Sequence, residues 1–238
     1  VLLPRFERDS APREYDTVET RGRVLIAGIG RFGQIVNRLL VANGIETVIL
    51  DHDAKQVDNV RQLNIRSYFG DATRPDLLET AGIDEVDLFV VAIDERKRAV
   101  DVVRHVKQEY PRLEVLARAF DQVHFYQLKQ AGADYIVKET YLAALDTGCE
   151  ALRRLGMEAG LARDLKKAFI ETEDEMSEAL YSNWLASQDT RIRPGFRELF
   201  MQQETALREA MREEREEWPA EANVGGNPAA EEEPVDRS

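Results

Sequence analysis

Short apolar runs alternate with amphipathic stretches between residues 23 and 137. The apolar runs are "RVLIAG", "TVIL", "RSYFG", "DLFVVAI", "LEVLARA" and "ADYIV". They predict six strands, and helices are predicted between them at about residues 31–43, 53–63, 75–81, up to 110, and 122–131. Because strands joined by helical crossovers pair in parallel, the pattern predicts an α/β fold. We expect a Rossmann-like six-stranded parallel sheet followed by a helical C-terminal segment.

The fourth predicted helix indicates which of its sides faces the sheet. Its apolar positions recur at helical spacing and form one stripe: Ala99, Val102, Val103 and Val106. The charged positions between them are assigned to the solvent-exposed side: Lys97, Arg98, Asp101 and Arg104.

The strand pattern stops after Val137, and this change predicts four segments. They are a linker at residues 1–21, the Rossmann-like nucleotide-binding domain at 22–139, a helical dimerisation or regulatory segment at 140–218 and a disordered acidic tail at 219–238. The helical segment carries an apolar stripe that one sheet cannot cover: Tyr141, Leu142, Leu145 and Leu152. We therefore expect a homodimer in which this stripe packs against a second copy.

Composition narrows the classes of protein. The 238 residues carry a net charge of -13, which argues against a broad nucleic-acid-binding surface. The single Cys149 excludes an intramolecular disulfide, and its helical spacing from Leu145 and Leu152 predicts a packed side chain and no nucleophile. His105 and His124 are isolated, so no metal site is predicted. No apolar run reaches the roughly 18 residues of a membrane helix, and we expect a soluble, cytoplasmic segment.

Candidate chemistry lies in "GIGRFG", where the first predicted strand meets the first helix. Gly28 permits a tight turn, Gly30 lets a phosphate approach the backbone, and Gly33 lets helix and strand pack closely; Arg31 and Phe32 lie between them. Asp51 follows the second strand, 23 positions after Gly28, as expected for an acid that accepts ribose hydroxyls. His52 beside it is a candidate phosphate contact. The alternative is a close strand-helix contact with an empty crevice.

A second anchor is "YFGDATRPDLLETAGI", which leads from the third strand into a helix. Thr73 with Pro75 reads as an ordinary helix start, with Thr73 as N-cap. This leaves Asp71 free, next to Ala72, at the carboxyl end of a strand where ligands of parallel sheets bind. We expect an adenine edge as the partner of Asp71.

The motifs "GIGRFGQ", "LDHD", "YFGDATRPDLLETAGI", "VVAIDE" and "ARAFD", in this order, resemble the RCK (or KTN) nucleotide-binding domain. They are most similar to the cytosolic C-terminal domain of Kef potassium efflux systems. The resemblance implies a dimer with an adenine nucleotide, AMP or NAD(H), in each crevice. It also implies control of a covalently attached or associated cation:proton antiporter domain, at the cytoplasmic face of the bacterial inner membrane. No catalytic residues are needed, and an ancillary flavin oxidoreductase is a candidate partner.

The same resemblance implies a glutathione site, which we transfer residue by residue. Arg38 matches the arginine of the first helix. Lys138 stands where the family has a second arginine, Phe169 where it has an asparagine, and Leu63 where it has an aromatic. These departures put glutathione gating in doubt, and the alternative is that Arg38 and Lys138 are ordinary surface cations.

Two other function classes remain open from the sequence. One is an NAD-dependent oxidoreductase, although the helical remainder offers no placed proton donor or acceptor. The other is a separate channel-gating subunit, which the linker-like opening disfavours. Arg118, at the end of the fifth strand, is expected to contact a phosphate or an interdomain acid, or to form a salt bridge.

Overall fold

The computed structural model of the protein describes residues 14–16, 22–62, 65, 67–187, 201–202, 204–209 and 211–212. In chain order the elements are β1 (Val24–Ala27), α1 (Arg31–Ala42), β2 (Thr47–Asp51), α2 (Ala54–Arg61), β3 (Tyr68–Phe69), α3 (Pro75–Thr80), β4 (Leu88–Val91), α4 (Arg96–Glu109), β5 (Glu114–Ala119), α5 (Gln122–Ala131), β6 (Tyr135–Lys138), α6 (Tyr141–Arg154) and α7 (Ala159–Ser187). The strands form one parallel sheet in the order β3-β2-β1-β4-β5-β6. The predicted fold class is confirmed.

The central strands are apolar because helices cover both faces of the sheet. Along β1, Leu25 and Ala27 belong to one buried cluster, whereas Val24 and Ile26 belong to another. This alternation is the period-two pattern of a strand whose two faces each meet a separate core. Full burial of a side chain such as Leu25 contributes about 1.5–3 kcal/mol. The predicted apolar stripe of α4 is confirmed, since all four of its residues are buried.

The strand order creates a crevice at the carboxyl edge of the sheet. The chain moves outward from β1 to β3 on one side and then crosses to β4 on the other, so β1 and β4 are neighbours. At such a switch point the loops leaving the two strands diverge, and ligands of open parallel sheets bind there.

The described residues group into two compact units, Val1–Thr140 and Tyr141–Ser238. In the second unit, Met157, Ala162 and Leu165 form a small buried cluster, with Cys149 and Leu152 packed against it. None of the helices in the described part of the chain is long and apolar enough to cross a membrane. Of the predicted linker, the structure describes residues 14–16; the predicted tail and Leu63 lie outside the described residues.

Candidate functional site

A crevice of about 250 Å³ opens where the loops after β1, β2, β3 and β4 meet. Its lining comprises Gly28, Gly30, Arg31, Leu50, Asp51, His52, Asp53, Gln56, Gly70, Asp71, Ala72, Ala92, Ile93, Asp94 and Arg98. The structure thus brings together the glycine-rich turn, the acid after the second strand and the Asp71 loop. Of the residues predicted to bind nucleotide, Phe32, Gly33 and Thr73 do not line the crevice.

The three glycines meet different surroundings. Gly28 has a φ of +100°, and a Cβ there would lie 2.8 Å from the carbonyl oxygen of Ala92. A Cβ on Gly33 would lie 2.1 Å from the carbonyl oxygen of Gly28. A Cβ on Gly30 would meet no atom of the described residues within 4 Å. Gly28 and Gly33 therefore allow the tight turn and the close packing, while Gly30 leaves the backbone open to a ligand.

The amino end of α1 is suited to an anion. Gly30 occupies the N-cap position, and no side chain of the described residues caps the helix there. Uncapped N–H groups and the helix dipole favour a negative charge at this point. Arg31 adds a cation: its side chain is 92% exposed, and its Nη2 lies 3.6 Å from Oε1 of Glu139. A phosphate placed here would meet backbone donors and an arginine together.

Asp51 is buried and held by the backbone on both oxygens. Oδ2 accepts from the Ile29 N–H at 2.7 Å, and Oδ1 accepts from the Asp53 N–H at 2.8 Å. Burial acts to raise the pKa of Asp51, but the hydrogen bonds from His52, Ile29 and Asp53 outweigh it and leave the pKa lowered. The hydrogen bond to Asp51 in turn raises the pKa of His52. Each carboxylate oxygen can accept about two hydrogen bonds, and His52 shares Oδ1 with the Asp53 N–H, so Asp51 retains one acceptor site, on Oδ2, for a ribose hydroxyl.

The expectation that Asp71 is free, with Thr73 capping a helix, is wrong. Oδ1 of Asp71 accepts from the Thr73 N–H at 2.9 Å, from the Thr73 hydroxyl at 2.7 Å and from Arg98 Nη2 at 2.5 Å. Arg74, and not Thr73, is the N-cap residue of α3, with Pro75 in the first turn as predicted. Although burial acts to raise the pKa of Asp71, its bonds to Thr73 and Arg98 lower it. Asp71 is an ionised acceptor at the crevice wall.

Sequence reasoning missed Arg98 and Gln56. Arg98 was assigned to the solvent side of α4, but its side chain is 26% exposed, lines the crevice and pairs with Asp71. Gln56 donates from Nε2 to the Ile29 carbonyl at 3.0 Å and so supports the glycine-rich turn. The position of Arg98 could have indicated this role. Because α4 begins at the carboxyl edge of the sheet, the first turn of this helix adjoins the crevice.

The buried Arg118 side chain pairs with two acids beside the crevice, the exposed Asp94 and the largely buried Glu139. The Arg118 side chain is 6% exposed, and it contacts Asp94 Oδ1 at 2.5 Å and Glu139 Oε2 at 3.1 Å. Its guanidinium carbon lies 5.7 Å from the ring centroid of Phe32. The predicted salt bridge of Arg118 is therefore confirmed. Phe32 packs on this network, and Glu139 links Arg118 to Arg31.

The residues of the predicted glutathione site lie in different elements. Arg38 is exposed on α1, and Lys138 is half-buried at the end of β6. Phe169 is half-buried on α7, in the second unit. Neither Arg38 nor Lys138 belongs to the crevice lining.

Two further residues singled out in the sequence are packed. The thiol of Cys149 lies 2.9 Å from the Ala162 carbonyl oxygen and packs on the cluster between α6 and α7. His124 is 1% exposed, its Nδ1 accepts from the Phe120 N–H at 3.1 Å, and burial lowers its pKa.

Two family models match the chain in succession. The TrkA-N domain matches residues 24–139, and the potassium efflux system KefB C-terminal domain matches residues 143–223. The fold and the crevice therefore define a TrkA-N-type Rossmann domain that is followed by a Kef-type helical segment.

The similar proteins point to the same family. The glutathione-regulated potassium-efflux system protein KefC of Klebsiella aerogenes is 40% identical over 194 residues, 80% of this chain and 31% of that protein. KefC of Escherichia coli O17:K52:H18 is 36% identical over 219 residues, 91% of this chain and 34% of that protein. The Kef C-terminal domain of Shewanella denitrificans, solved in its AMP-bound form, has a TM-score of 0.62 and 38% identity, covering 68% of this chain and 98% of that one.

The chain belongs to the family of C-terminal domains of Kef potassium efflux systems. It spans about a third of the length of the two KefC proteins, whose 31% and 34% shares leave the rest of each protein unmatched.

Proposed function

We propose that this chain is the nucleotide-binding regulatory domain of a potassium efflux system and that it binds AMP without turning it over. The observation that carries the proposal is the crevice at the switch point, where the open backbone at Gly30 and the ionised Asp51 lie together. The similar Shewanella denitrificans domain, solved with AMP, supports the choice of ligand.

Each part of AMP has a matching group in this crevice. The phosphate binds at the amino end of α1 and at Arg31, where backbone donors meet a cation. A ribose hydroxyl donates to the remaining acceptor site of Asp51, on Oδ2, and His52 lies next to it. The adenine edge binds at Asp71 and Ala72, because a carboxylate accepts from the 6-amino group.

A mononucleotide fits better than a dinucleotide. Among the described residues, those of β5 and β6 contribute nothing to the lining of the crevice. Beside it, the side chain of Arg118 is buried between Asp94 and Glu139. The described residues of β5 and β6 thus offer no lining to a nicotinamide half. We therefore rank AMP before NAD(H), and an NAD-dependent oxidoreductase is disfavoured for the same reason.

The Glu139 carboxylate connects the crevice with the end of the first unit. It contacts both Arg31 and Arg118, and Thr140 ends the first unit directly after it. A phosphate at the amino end of α1 competes with Glu139 for Arg31. AMP therefore changes the charge balance at the point where the chain leaves the Rossmann-like domain. Such competition transmits a signal only if AMP binds the two arrangements with different affinity.

The remaining features of the proposal follow the family. We place the chain at the cytoplasmic face of the bacterial inner membrane, as a homodimer attached to an antiporter domain, with a flavin oxidoreductase as an ancillary partner. The KefC relatives are named as glutathione-regulated, which supports a second ligand site. In this chain that site would use Arg38, Lys138 and Phe169, outside the AMP crevice.

Calorimetry with four ligands tests the two sites separately. We expect AMP to bind wild type more tightly than NAD or NADH, and Asp51→Ala to cost about 1–3 kcal/mol of AMP affinity because it removes the ribose anchor. Arg38→Ala serves as the matched control, since it removes a charge outside the crevice and leaves AMP binding unchanged. Glutathione binding should be weakened by Arg38→Ala and left unchanged by Asp51→Ala. Undiminished AMP binding by Asp51→Ala would refute the site, and steady NADH oxidation would favour an enzyme.

A further inference from the structure

We infer that Tyr15 and Asp16, which precede the Rossmann-like domain, are positioning residues of the adenine end of the crevice. The inference rests on the proposed AMP site and goes beyond it, because these residues do not line the crevice. Residues 14–16, which we call the docked segment, lie against the edge strand β3 and the helices beside it.

Asp16 holds β3 through backbone and side chain together. Its N–H donates to the Phe69 carbonyl at 2.9 Å, and its Oδ2 accepts from the Phe69 N–H at 2.6 Å. The same Oδ2 accepts from Arg61 Nη2 at 2.7 Å, and Arg61 also donates to the Ser67 carbonyl at 2.6 Å. One carboxylate therefore ties the free edge of β3 to the end of α2.

Tyr15 holds both ends of the loop that carries Asp71. Its ring stacks on Phe69 with centroids 5.1 Å apart, and the guanidinium carbon of Arg74 lies 5.0 Å from its centroid. Phe69 directly precedes residues 70–73, and Arg74 directly follows them. The crevice lining includes Gly70, Asp71 and Ala72 from this loop. The docked segment thus fixes both ends of the base-facing loop.

The loop depends on this support because β3 is short. Among the described residues it pairs with β2 at two positions, Leu50↔Tyr68 and Asp51↔Phe69. Two paired residues fix the register of an edge strand only weakly. A change in residues 14–16 will shift Phe69, and with it Asp71, whereas Gly30 is the N-cap residue of α1 and Asp51 is held by the Ile29 and Asp53 N–H groups. The adenine end should therefore respond to the docked segment more than the phosphate end does.

A purely structural role would be to cap the sheet edge against other strands. The two roles differ in their linkage to ligand. If the docked segment positions the adenine end, AMP must stabilise the docked segment by the same factor by which docking strengthens AMP binding. An edge cap has no such reciprocity.

Binding and hydrogen exchange on the same chain test the inference. We expect Asp16→Ala to weaken AMP affinity about 5- to 20-fold, with a much smaller loss for ribose 5-phosphate, which lacks the base. Tyr15→Ala should weaken AMP binding in the same sense, and Tyr15→Phe should lose much less affinity, because it keeps the stacked ring and gives up only the hydrogen bond between the Tyr15 side chain and Arg74. In wild type, saturating AMP should slow exchange of the Asp16 amide by a factor similar to the affinity loss of Asp16→Ala.

The matched control is Asp87→Ala. Asp87 accepts from Arg23 Nε at 2.6 Å, as Asp16 accepts from Arg61, but this pair lies at the amino ends of β1 and β4, opposite the crevice. We expect no change in AMP affinity. Unchanged AMP binding by both Asp16→Ala and Tyr15→Ala, or an Asp16 amide whose exchange ignores AMP, would overturn the inference and leave the AMP site standing. Failure of wild type to bind AMP would overturn both. If Asp16→Ala does not fold, the comparison of Tyr15→Ala with Tyr15→Phe tests the inference instead.

Discussion

The two units of the chain treat their apolar residues differently. In the first unit, Leu25, Ile26 and Phe89 are 0% exposed, and each face of the sheet has its own core. In the second, none of the residues of α6, all of them described, is buried, and Leu142 is 51% exposed. The core of the first unit is therefore complete within one chain, although Ile35, Leu39 and Phe120 remain more than half exposed on its surface. The second carries an amphipathic helix, α6, whose apolar side is only partly covered by the described residues.

The largest expected effect compares one substitution in both units. Gly33 lies in α1 and Gly148 in α6, so each Gly→Ala change adds one methyl group to a helix. At Gly33 the Cβ would lie 2.1 Å from the Gly28 carbonyl oxygen, which is backbone and cannot rotate away. At Gly148 it meets no atom within 4 Å among the described residues. We expect Gly33→Ala to lower the free energy of unfolding by about 3 kcal/mol or more.

Gly148→Ala is expected to act in the opposite direction. Alanine is favoured over glycine in a helix interior, so the free energy of unfolding should rise by about 0.5–1 kcal/mol. Urea unfolding of both variants measures the difference. A loss of stability in Gly148→Ala would contradict the open surroundings of this residue and indicate close approach by a second chain. An unchanged free energy of unfolding in Gly33→Ala would contradict the close approach of Gly33 to the Gly28 carbonyl oxygen.

The contrast between the units also separates what could be predicted from the sequence. The strands and helices of the first unit follow from the apolar period, because a strand buried on both faces and an amphipathic helix have distinct spacings. The glycine turn and Asp51 follow from a local motif. Arg98 does not, since its contact with Asp71 joins residues 27 positions apart and depends on where α4 begins.

The docked segment could not be predicted for a similar reason. The sequence "REYDTVE" reads as a polar linker, and the bond between Asp16 and Phe69 spans 53 positions. No periodicity records such a contact, because three residues form no repeating face. The apolar stripe of α6 could be predicted from the sequence, but its partner could not. The pattern shows that these side chains need burial, but it does not show which surface covers them.

The second-largest expected effect concerns the apolar stripe of α6. Leu142 is half exposed at the start of α6, and Ala151 lies nine residues on, about half a turn round the helix. We propose that a second copy covers the Leu142 side. Leu142→Glu should then raise the dimer dissociation constant at least about tenfold, or about 1.4 kcal/mol, because it places a charge in an apolar contact.

Ala151→Glu is the matched control, as it adds the same charge to the exposed far side of α6. Light scattering over a dilution series from tens of micromolar measures both variants against wild type. Equal effects of the two substitutions would mean that charge alone, and not the apolar stripe, governs assembly. A monomeric wild type would contradict the proposed homodimer.

The smallest effect is a pH dependence that belongs to the first unit. The hydrogen bond to Asp51 raises the pKa of His52, while the Arg98 charge acts against it and the Asp71 charge with it. Folding therefore favours the protonated imidazole. The resulting stabilisation is fully present below the unfolded-state pKa of about 6.5 and is lost as the pH rises through the raised folded-state pKa.

The variant His52→Gln tests this pH dependence, because it keeps an amide donor that does not titrate. We expect wild type to be more stable than this variant at about pH 5.5, with a smaller difference at about pH 8.5. Because 60% of the His52 side chain is exposed, the change in this difference should stay below about 1 kcal/mol. Urea unfolding at the two pH values measures it, and the contribution of buried His124 cancels because both proteins contain it. A difference that is constant with pH, or one that grows toward high pH, would contradict the protonated pairing of His52 with Asp51.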